Sequence, residues 1–204
     1  KAIKLDLGIE GKLFNEQVDF TVDFFRDTRN DIFQQRTMVP DYIGLAEQPF
    51  GNVGSMVSYG ADGNISFRQD IGKDFSFTLR GNFTYTANMV KNWEEAFQKY
   101  SYQERADKPY EFYSGYIALG LFRDENDVKF SPDQSGIAGR KVLPGDIKYK
   151  DVNGDGVIND DDIVPLGYRE VPGLQYGVGL SANWRNWNLS VLFQGTGKCD
   201  FFIG

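Results

Sequence analysis

The chain has 204 residues, a net charge of −7, no histidine and one cysteine. An acidic chain of this size carries no electrostatic footprint for nucleic acid. Without His, the usual general base, the common transition-metal ligand and any Ser-His-Asp triad are missing; a lone Cys199 excludes an internal disulfide. Aromatic residues make up 15% of the chain, with 17 Phe, 11 Tyr and 23 Gly, a mix that suits strands better than helices. No run of eighteen apolar residues is present, so no transmembrane helix is expected, and no signal peptide is evident. The sequence begins inside what reads as a strand and stops soon after another. A piece of a longer protein is therefore expected, and a missing targeting signal says nothing about location.

The first element is a hairpin. Ile3, Leu5, Leu7, Ile9 and Leu13 share one face of a strand over 2–14. A turn at Asn15-Glu16 pairs Leu13 with Val18, and Phe20, Val22 and Phe24 then fall on the same face of a strand over 17–27. A long link over 28–52 follows. The next strand, 53–69, passes through Ile65 and Phe67 and turns near Gly72 into a strand over 74–90. There the odd positions read Phe75, Phe77, Leu79, Gly81, Phe83, Tyr85, Ala87 and Met89. The even positions read Ser76, Thr78, Arg80, Asn82, Thr84, Thr86 and Asn88. Such a run exceeds the roughly 5–6 residues of an ordinary strand. It fits the roughly 9–11 residues of a membrane-spanning strand with some overhang.

The long segment 91–172 is where function is expected to concentrate. Trp93, Ala96, Phe97 and Tyr100 fall at helical spacing and predict a short amphipathic helix over 92–105. Tyr110, Phe112, Tyr113 and Tyr116 follow. Trp93, Tyr110, Tyr113 and Tyr116 are the candidate substrate contacts, since aromatic rings in an external loop can stack on sugars or grip a peptide. The plainer reading is that they pack the loop onto a barrel rim, because aromatic side chains are the main material for burying apolar surface. Asp124, Glu125 and Asp127 read as a solvated turn. The pair Glu94-Glu95 invites a hydrolase reading, but nothing places two carboxylates across a cleft, and no enzymatic activity is expected.

The segment 151–162 carries the strongest motif. Asp151, Asn153 and Asp155 occupy the first, third and fifth places of a calcium loop, and Gly156 stands at the sixth, where the chain must turn sharply. The carbonyl of Val157 falls at the seventh place, Asn159 at the ninth and Asp162 at the twelfth. Alternate oxygens of this kind can wrap one hard cation, so Ca2+ is expected in a structural role. The alternative is an acidic Asn/Asp/Gly turn that holds no metal. Ile158, apolar among polar neighbours, is expected to pin the loop to the protein beneath. Pro144 and Gly145 before the loop, and Pro165 and Gly167 after it, leave no room for the paired helices of a sensor or docking module.

The chain closes on a second hairpin, with strands over 174–184 and 187–195. Tyr176, Val178, Leu180, Ala182 and Trp184 alternate with polar or small residues, as do Trp187, Leu189, Val191 and Phe193. A two-residue turn at Arg185-Asn186 pairs Trp184 with Trp187 and Ala182 with Leu189, so turn length and pattern agree on the register. Two Trp at a strand end suit an interfacial aromatic girdle. Links near 15–16, 70–74 and 185–186 are short, while 28–52 and 91–172 are long. Short turns on one side and long loops on the other describe an outer-membrane β-barrel. A soluble β-sandwich also alternates, but the long strands, the loop asymmetry and the Trp pair favour the barrel. Six strands cannot close a large barrel, so others must lie outside this sequence.

Several segments resemble the late barrel region of SusC/RagA-type TonB-dependent receptors. They are Pro144-Gly-Asp-Ile-Lys-Tyr-Lys-Asp151 with the loop that follows, Ile163-Val-Pro-Leu-Gly167, Gln175-Tyr-Gly-Val-Gly-Leu180 and Leu189-Ser-Val-Leu-Phe-Gln-Gly195. Gly115-Tyr116 and Gly120-Leu-Phe122 match the approach to this loop, and Asn52-Val-Gly54 with Gly60 matches an earlier segment more loosely. Ser58 and Ala61-Asp62 stand where that family usually has Asn and Val-Glu. The resemblance implies an all-β fold, as a fragment of a 22-stranded antiparallel transmembrane barrel in the outer membrane of a Bacteroidota species. It implies import of oligosaccharides or peptides, driven through TonB by way of a plug domain, with a SusD-like surface lipoprotein as partner. The alternative reading of the residues is a secreted calcium-dependent adhesin or carbohydrate-binding β-sandwich.

Overall fold

The computed structural model describes residues 1–40, 43–44 and 46–201. The chain divides into two compact units. One holds Lys1–Glu95, Arg105–Glu111 and the chain from Arg169 on; the other holds Ala96–Glu104 and Phe112–Tyr168. In chain order the elements begin with four long strands, β1 (Ala2–Leu13), β2 (Val18–Gln35), β3 (Phe50–Ile71) and β4 (Phe75–Asn92). Short elements follow: β5 (Tyr113–Gly115), β6 (Ala118–Leu121), α1 (Glu125–Lys129), α2 (Ser135–Ala138), β7 (Ile147–Tyr149) and β8 (Val164–Leu166). The chain then returns to long strands, β9 (Leu174–Trp184) and β10 (Trp187–Gly197).

The first unit is one six-stranded sheet in the order β1-β2-β3-β4-β9-β10. All neighbours run antiparallel. Leu13 pairs with Val18, Val18 with Phe67, Phe67 with Leu79, Leu79 with Leu180 and Leu180 with Val191. An apolar row thus crosses all six strands on one face. On the opposite face Gly8, Asp23, Asp62, Thr84, Gln175 and Thr196 form a matching polar row. A slip of one residue in any pair would mix the two rows, which is why the alternation specifies the register so firmly.

The turns carry the required backbone. Leu13 pairs with Val18 across four residues, of which Phe14, Asn15 and Glu16 have φ of 54°, 54° and 64°. Trp184 pairs with Trp187 across Arg185-Asn186, with Arg185 at φ 53°. Primed turns of this kind match the twist of the flanking strands. Ile71 pairs with Phe75, and Gly72 between them has φ 68°. Inside β3, Gly60 allows a close approach: a Cβ there would lie 2.0 Å from the Tyr85 carbonyl oxygen and 2.6 Å from the Phe25 ring.

Two sequence expectations change here. The strand expected over 17–27 continues to Gln35, and its partner starts at Phe50 rather than near 53. The link expected over 28–52 is correspondingly shorter, and its residues 41, 42 and 45 lie outside the described residues. The reason is a bulge. Register shifts between Arg29 and Phe33, where Asp31 sits at φ 58°, so pairing continues after the alternation is lost. The short α-helix expected over 92–105 is not formed. β4 ends at Asn92, and only a single 3-10 turn, Ser101–Gln103, follows. Glu94 is instead paired with Arg36, accepts from the Met38 amide at 3.1 Å, and offers its carbonyl to Thr37 at 3.0 Å. Glu95 accepts from the Arg105 amide at 2.7 Å. Phe97, placed on the buried face of that helix, is 90% exposed. Partners distant in sequence outweigh a weak local propensity.

The second unit is built from two small ladders, β5 with β8 and β6 with β7. Its buried apolar side chains are Phe122, Val142, Ile158 and Val164. Gln134 is buried as well, donating to the Ile147 carbonyl at 2.7 Å and accepting from the Tyr149 amide at 3.2 Å. Asp124, Glu125 and Asp127, expected as a solvated turn, form the start of α1. Asp124 caps it by accepting from the Asp127 amide at 2.8 Å. Asp127 pairs with Lys148 at 2.8 Å and accepts from the Arg123 amide at 3.1 Å. Among the described residues no helix is long and apolar enough to cross a membrane, which says nothing of crossing by strands.

Candidate calcium loop

The approach to 151–162 is fixed first. Gly145 turns the chain at φ 92°, and Asp146 is held by Arg140 at 2.7 Å before β7 begins. Among the described residues no α-helix adjoins the loop, which runs from β7 to β8. A 3-10 turn at Asp160–Asp162 ends it, and Pro165 lies inside β8.

Within the loop the side-chain oxygens fold back onto backbone amides. Asp151 accepts from Gly154 at 2.6 Å and from Gly156 at 2.8 Å. Asn153 accepts from the Asp155 amide at 2.9 Å, and Asp155 from the Val157 amide at 2.9 Å. Asn159 accepts from the Asp161 amide at 2.7 Å. Asp162 accepts from Val152 at 2.7 Å through one oxygen and from Asn159 at 3.0 Å through the other, completing a capping box. The backbone allows this because Gly154 and Gly156 sit at φ 78° and 85°, where a side chain would be strained. The Val157 amide and then the Asn153 side chain hold the Asp155 carboxyl below the usual carboxylate range.

Asp162 is wholly buried. Among the described residues no lysine or arginine lies within ion-pair distance of Asp151, Asp155 or Asp162. Nor do three or more carboxylate or thiolate side chains among them gather as a metal-holding group. The oxygens of this motif come from a mixed set, with the amides of Asn153 and Asn159 and the carbonyl of Val157 beside the three carboxylates.

The loop is anchored on two sides. Ile158 is 1% exposed. Its amide donates to the Asp133 carbonyl at 2.8 Å, while the Asp133 amide donates to the Gly156 carbonyl at 2.9 Å, so Val157 bridges Asp133. On the other side Lys99 meets Asp161 at 2.6 Å, Gln103 donates to the Asp160 carbonyl at 2.9 Å, and Tyr102 donates to the Asp161 carbonyl. Asn153 donates to the Tyr100 hydroxyl at 3.2 Å. Tyr100 stacks on Tyr102 with ring centroids 5.1 Å apart. The Asp161 carboxylate, then the Tyr100 hydroxyl, hold the Lys99 ammonium above its ordinary pKa. Ile158 is seated as its apolar character among polar neighbours implies; its partner Asp133, well upstream, and the Lys99–Gln103 contacts on the other side are not legible in the motif.

The four candidate aromatic contacts divide. Trp93 and Tyr110 belong to the unit of the large sheet, edge to face at 5.5 Å, with the Arg105 guanidinium 5.5 Å from the Trp93 ring. Tyr113 and Tyr116 belong to the other unit. Tyr113 pairs with Leu166 in the β5–β8 ladder. Tyr116 packs against Tyr149 at 5.3 Å and donates to Asp160 at 3.4 Å; burial, then the Asp160 charge, pushes its hydroxyl pKa up. Tyr116 thus sits beside the loop rather than in a surface cluster of its own.

Comparison with known proteins follows the same lines. The family model described as TonB dependent receptor-like, beta-barrel matches residues 1–201. TonB-dependent receptor P26 of Formosa agariphila is 25% identical over 202 residues, covering 94% of this chain and 20% of that protein. TonB-dependent receptor P3 of the same organism is 24% identical over 203 residues, with the same coverage of 94% and 20%. The chain therefore spans about a fifth of the length of these relatives. The RagAB peptide importer in its 'closed-closed' state superposes with a TM-score of 0.64 at 21% identity, covering 96% of this chain and 21% of that one. Its 'open-open' state gives 0.68 at 18% identity, with coverage of 96% and 20%. These likenesses show the fold, agree with the SusC/RagA-type resemblance and set the sandwich alternative aside. From its first strand to its last, this chain belongs to the TonB-dependent receptor-like β-barrel family, as a six-stranded part of the barrel.

Proposed function

We propose that this chain is wall and external insert of an outer-membrane importer energised through TonB, carrying oligosaccharides or peptides and working with a SusD-like surface lipoprotein. The observation that carries the reading is the apolar row that crosses the whole sheet. Four of its six members stay open to their surroundings: Leu13, Leu79, Leu180 and Val191 are 50%, 44%, 44% and 39% exposed, and Leu5, Leu7 and Leu189 elsewhere on the same face are exposed as well. A contiguous apolar face of this extent is unfavourable in water and natural against lipid. The polar face then lines a wet interior. Family membership supports import, and the RagAB neighbours lend weight to peptides within the two cargo classes.

Within this reading the 151–162 loop holds Ca2+ as a structural ion. The donor set fits: all its members are hard oxygens, and each carboxylate oxygen that accepts one amide keeps a further lone pair. Buried Asp162 has both oxygens held by amides but no lysine or arginine among the described residues within ion-pair distance, so a cation would supply the opposite charge that it lacks. When bound, calcium would neutralise the loop's carboxylates. The chain's own residues do the rest: Gly156 turns the backbone, Asp151 and Asp162 tie the two ends, and Ile158 seats the loop.

The reading is tested in the full-length receptor reconstituted in lipid vesicles. Single cysteines carrying a fluorophore at Leu79 and Leu180 should be quenched by brominated lipid, and one at Thr84 should not. Equal quenching at all three sites would sink the lipid-facing assignment. Cargo uptake by cells should also vanish when TonB is absent.

A further inference from the structure

The segment 96–104 leaves the sheet unit after Glu95 and rejoins it at Arg105, whose amide donates to the Glu95 carboxylate at 2.7 Å. Between these ends lies one turn, Ser101–Gln103, with no buried residue in it. Four of the segment's side chains reach the 151–162 loop. Lys99 and Tyr102 reach Asp161, Gln103 reaches the Asp160 carbonyl, and the Tyr100 hydroxyl accepts from Asn153.

Asn153 is the hinge of this arrangement. Its oxygen stands at the third place of the loop and accepts from Asp155, while its nitrogen donates to both Asp155 and Tyr100. The two ends of an amide cannot be oriented independently. A cation that draws on the oxygen fixes the direction of the nitrogen, and with it the hydrogen bond to Tyr100. Likewise, Asp160 and Asp161 follow Asn159 and precede Asp162 inside the capping box, so ordering those two residues orders the carbonyls that Gln103 and Tyr102 hold.

We propose that cation binding in the 151–162 loop is coupled to the order of the 96–104 segment, so that the stacked Tyr100–Tyr102 pair is presented firmly only when the ion is in place. The coupling rests on the calcium reading above and is a regulatory property of that site. Thermodynamic linkage makes it reciprocal: removing the grip of 96–104 must weaken the ion by the same factor that the ion strengthens the grip.

The test is hydrogen exchange on the full-length receptor in detergent, titrated with calcium against a chelator. Calcium should slow exchange in peptides covering 96–104 and 151–162 with the same midpoint. Asp151→Asn with Asp155→Asn should abolish both effects. Tyr100→Phe with Tyr102→Phe should shift the calcium midpoint upward about fivefold, the low end of ordinary coupling between sites. Slowing in 151–162 alone, or an unchanged midpoint in the tyrosine variant, overturns the coupling and leaves calcium binding standing. No calcium effect in either segment overturns both.

Discussion

Val178→Arg tests the membrane assignment most sharply. Val178 sits in β9 between Gly81 of β4 and Phe193 of β10, on the apolar face, and is 47% exposed. It lies six residues from Trp184, at the short-turn end of the sheet. Six residues span about 20 Å along a strand. At a tilt of about 45° that is about 14 Å of depth, close to the midplane of a core about 30 Å thick. If the Trp184–Trp187 pair marks the interface, Val178 is therefore near the centre. An arginine there should cost about 2–4 kcal/mol, against about 0–1 for Trp184→Arg at the rim. Thr84→Arg is the control: Thr84 pairs with Asp62 and Gln175 on the polar face, and should stay within about 0.5 kcal/mol of the parent. Urea unfolding of the full-length receptor in vesicles, followed by loss of its compact band on unheated gels, measures all three. Equal costs for Val178→Arg and Thr84→Arg would refute the reasoning, because water on both faces is the only simple way to equalise them.

Three further outcomes follow from the insert. Ile158→Ala removes a side chain that is 1% exposed, and should destabilise the second unit by about 2–5 kcal/mol, read as faster exchange at 133 and 156–158 with the strands unchanged. Gly156→Ala meets open space but sits at φ 85°, so its cost is conformational, about 1 kcal/mol, and should appear as a weaker calcium midpoint and not as a folding defect. The carboxyls of Asp127 and Asp146 are held low, first by their side-chain bonds to Lys148 and Arg140 respectively. A depressed folded pKa gives stability that is complete above the unfolded value of about 3.9 and is lost as pH falls through the folded value. Protection of 123–149 should thus hold at neutral pH and fade below about pH 4; fading already at pH 6 would contradict the pairing.

How much of this was legible in advance depended on the range of the forces involved. The pairings Leu13–Val18, Trp184–Trp187 and Ala182–Leu189 were readable because turn length and period-two alternation are local and agree with each other. The place where strand reading stopped short, beyond residue 28, is where Asp31 at φ 58° breaks the period while the ladder continues. The helix expected over 92–105 failed for the opposite reason. Its spacing was real, but Glu94 and Glu95 are spent on Arg36, Thr37, Met38 and Arg105. The acidic start of α1 was visible as charge only; that Asp124 caps the Asp127 amide while the Asp127 carboxylate pairs with distant Lys148 was not.

By itself, the sequence determined which face of each long strand is apolar and how neighbouring hairpin strands align. It also determined the order of oxygens around Gly156. These follow from side-chain alternation and from the few backbone conformations a turn permits. Only the tertiary structure decided that β9 joins β4 after the long insert, that Asp162 is buried with no positive partner among the described residues, and that Asp133 on one side and Lys99, Tyr100, Tyr102 and Gln103 on the other hold the loop. Those contacts join residues far apart in the chain, and no local pattern encodes which distant amide or hydroxyl will satisfy a loop's exposed polar groups.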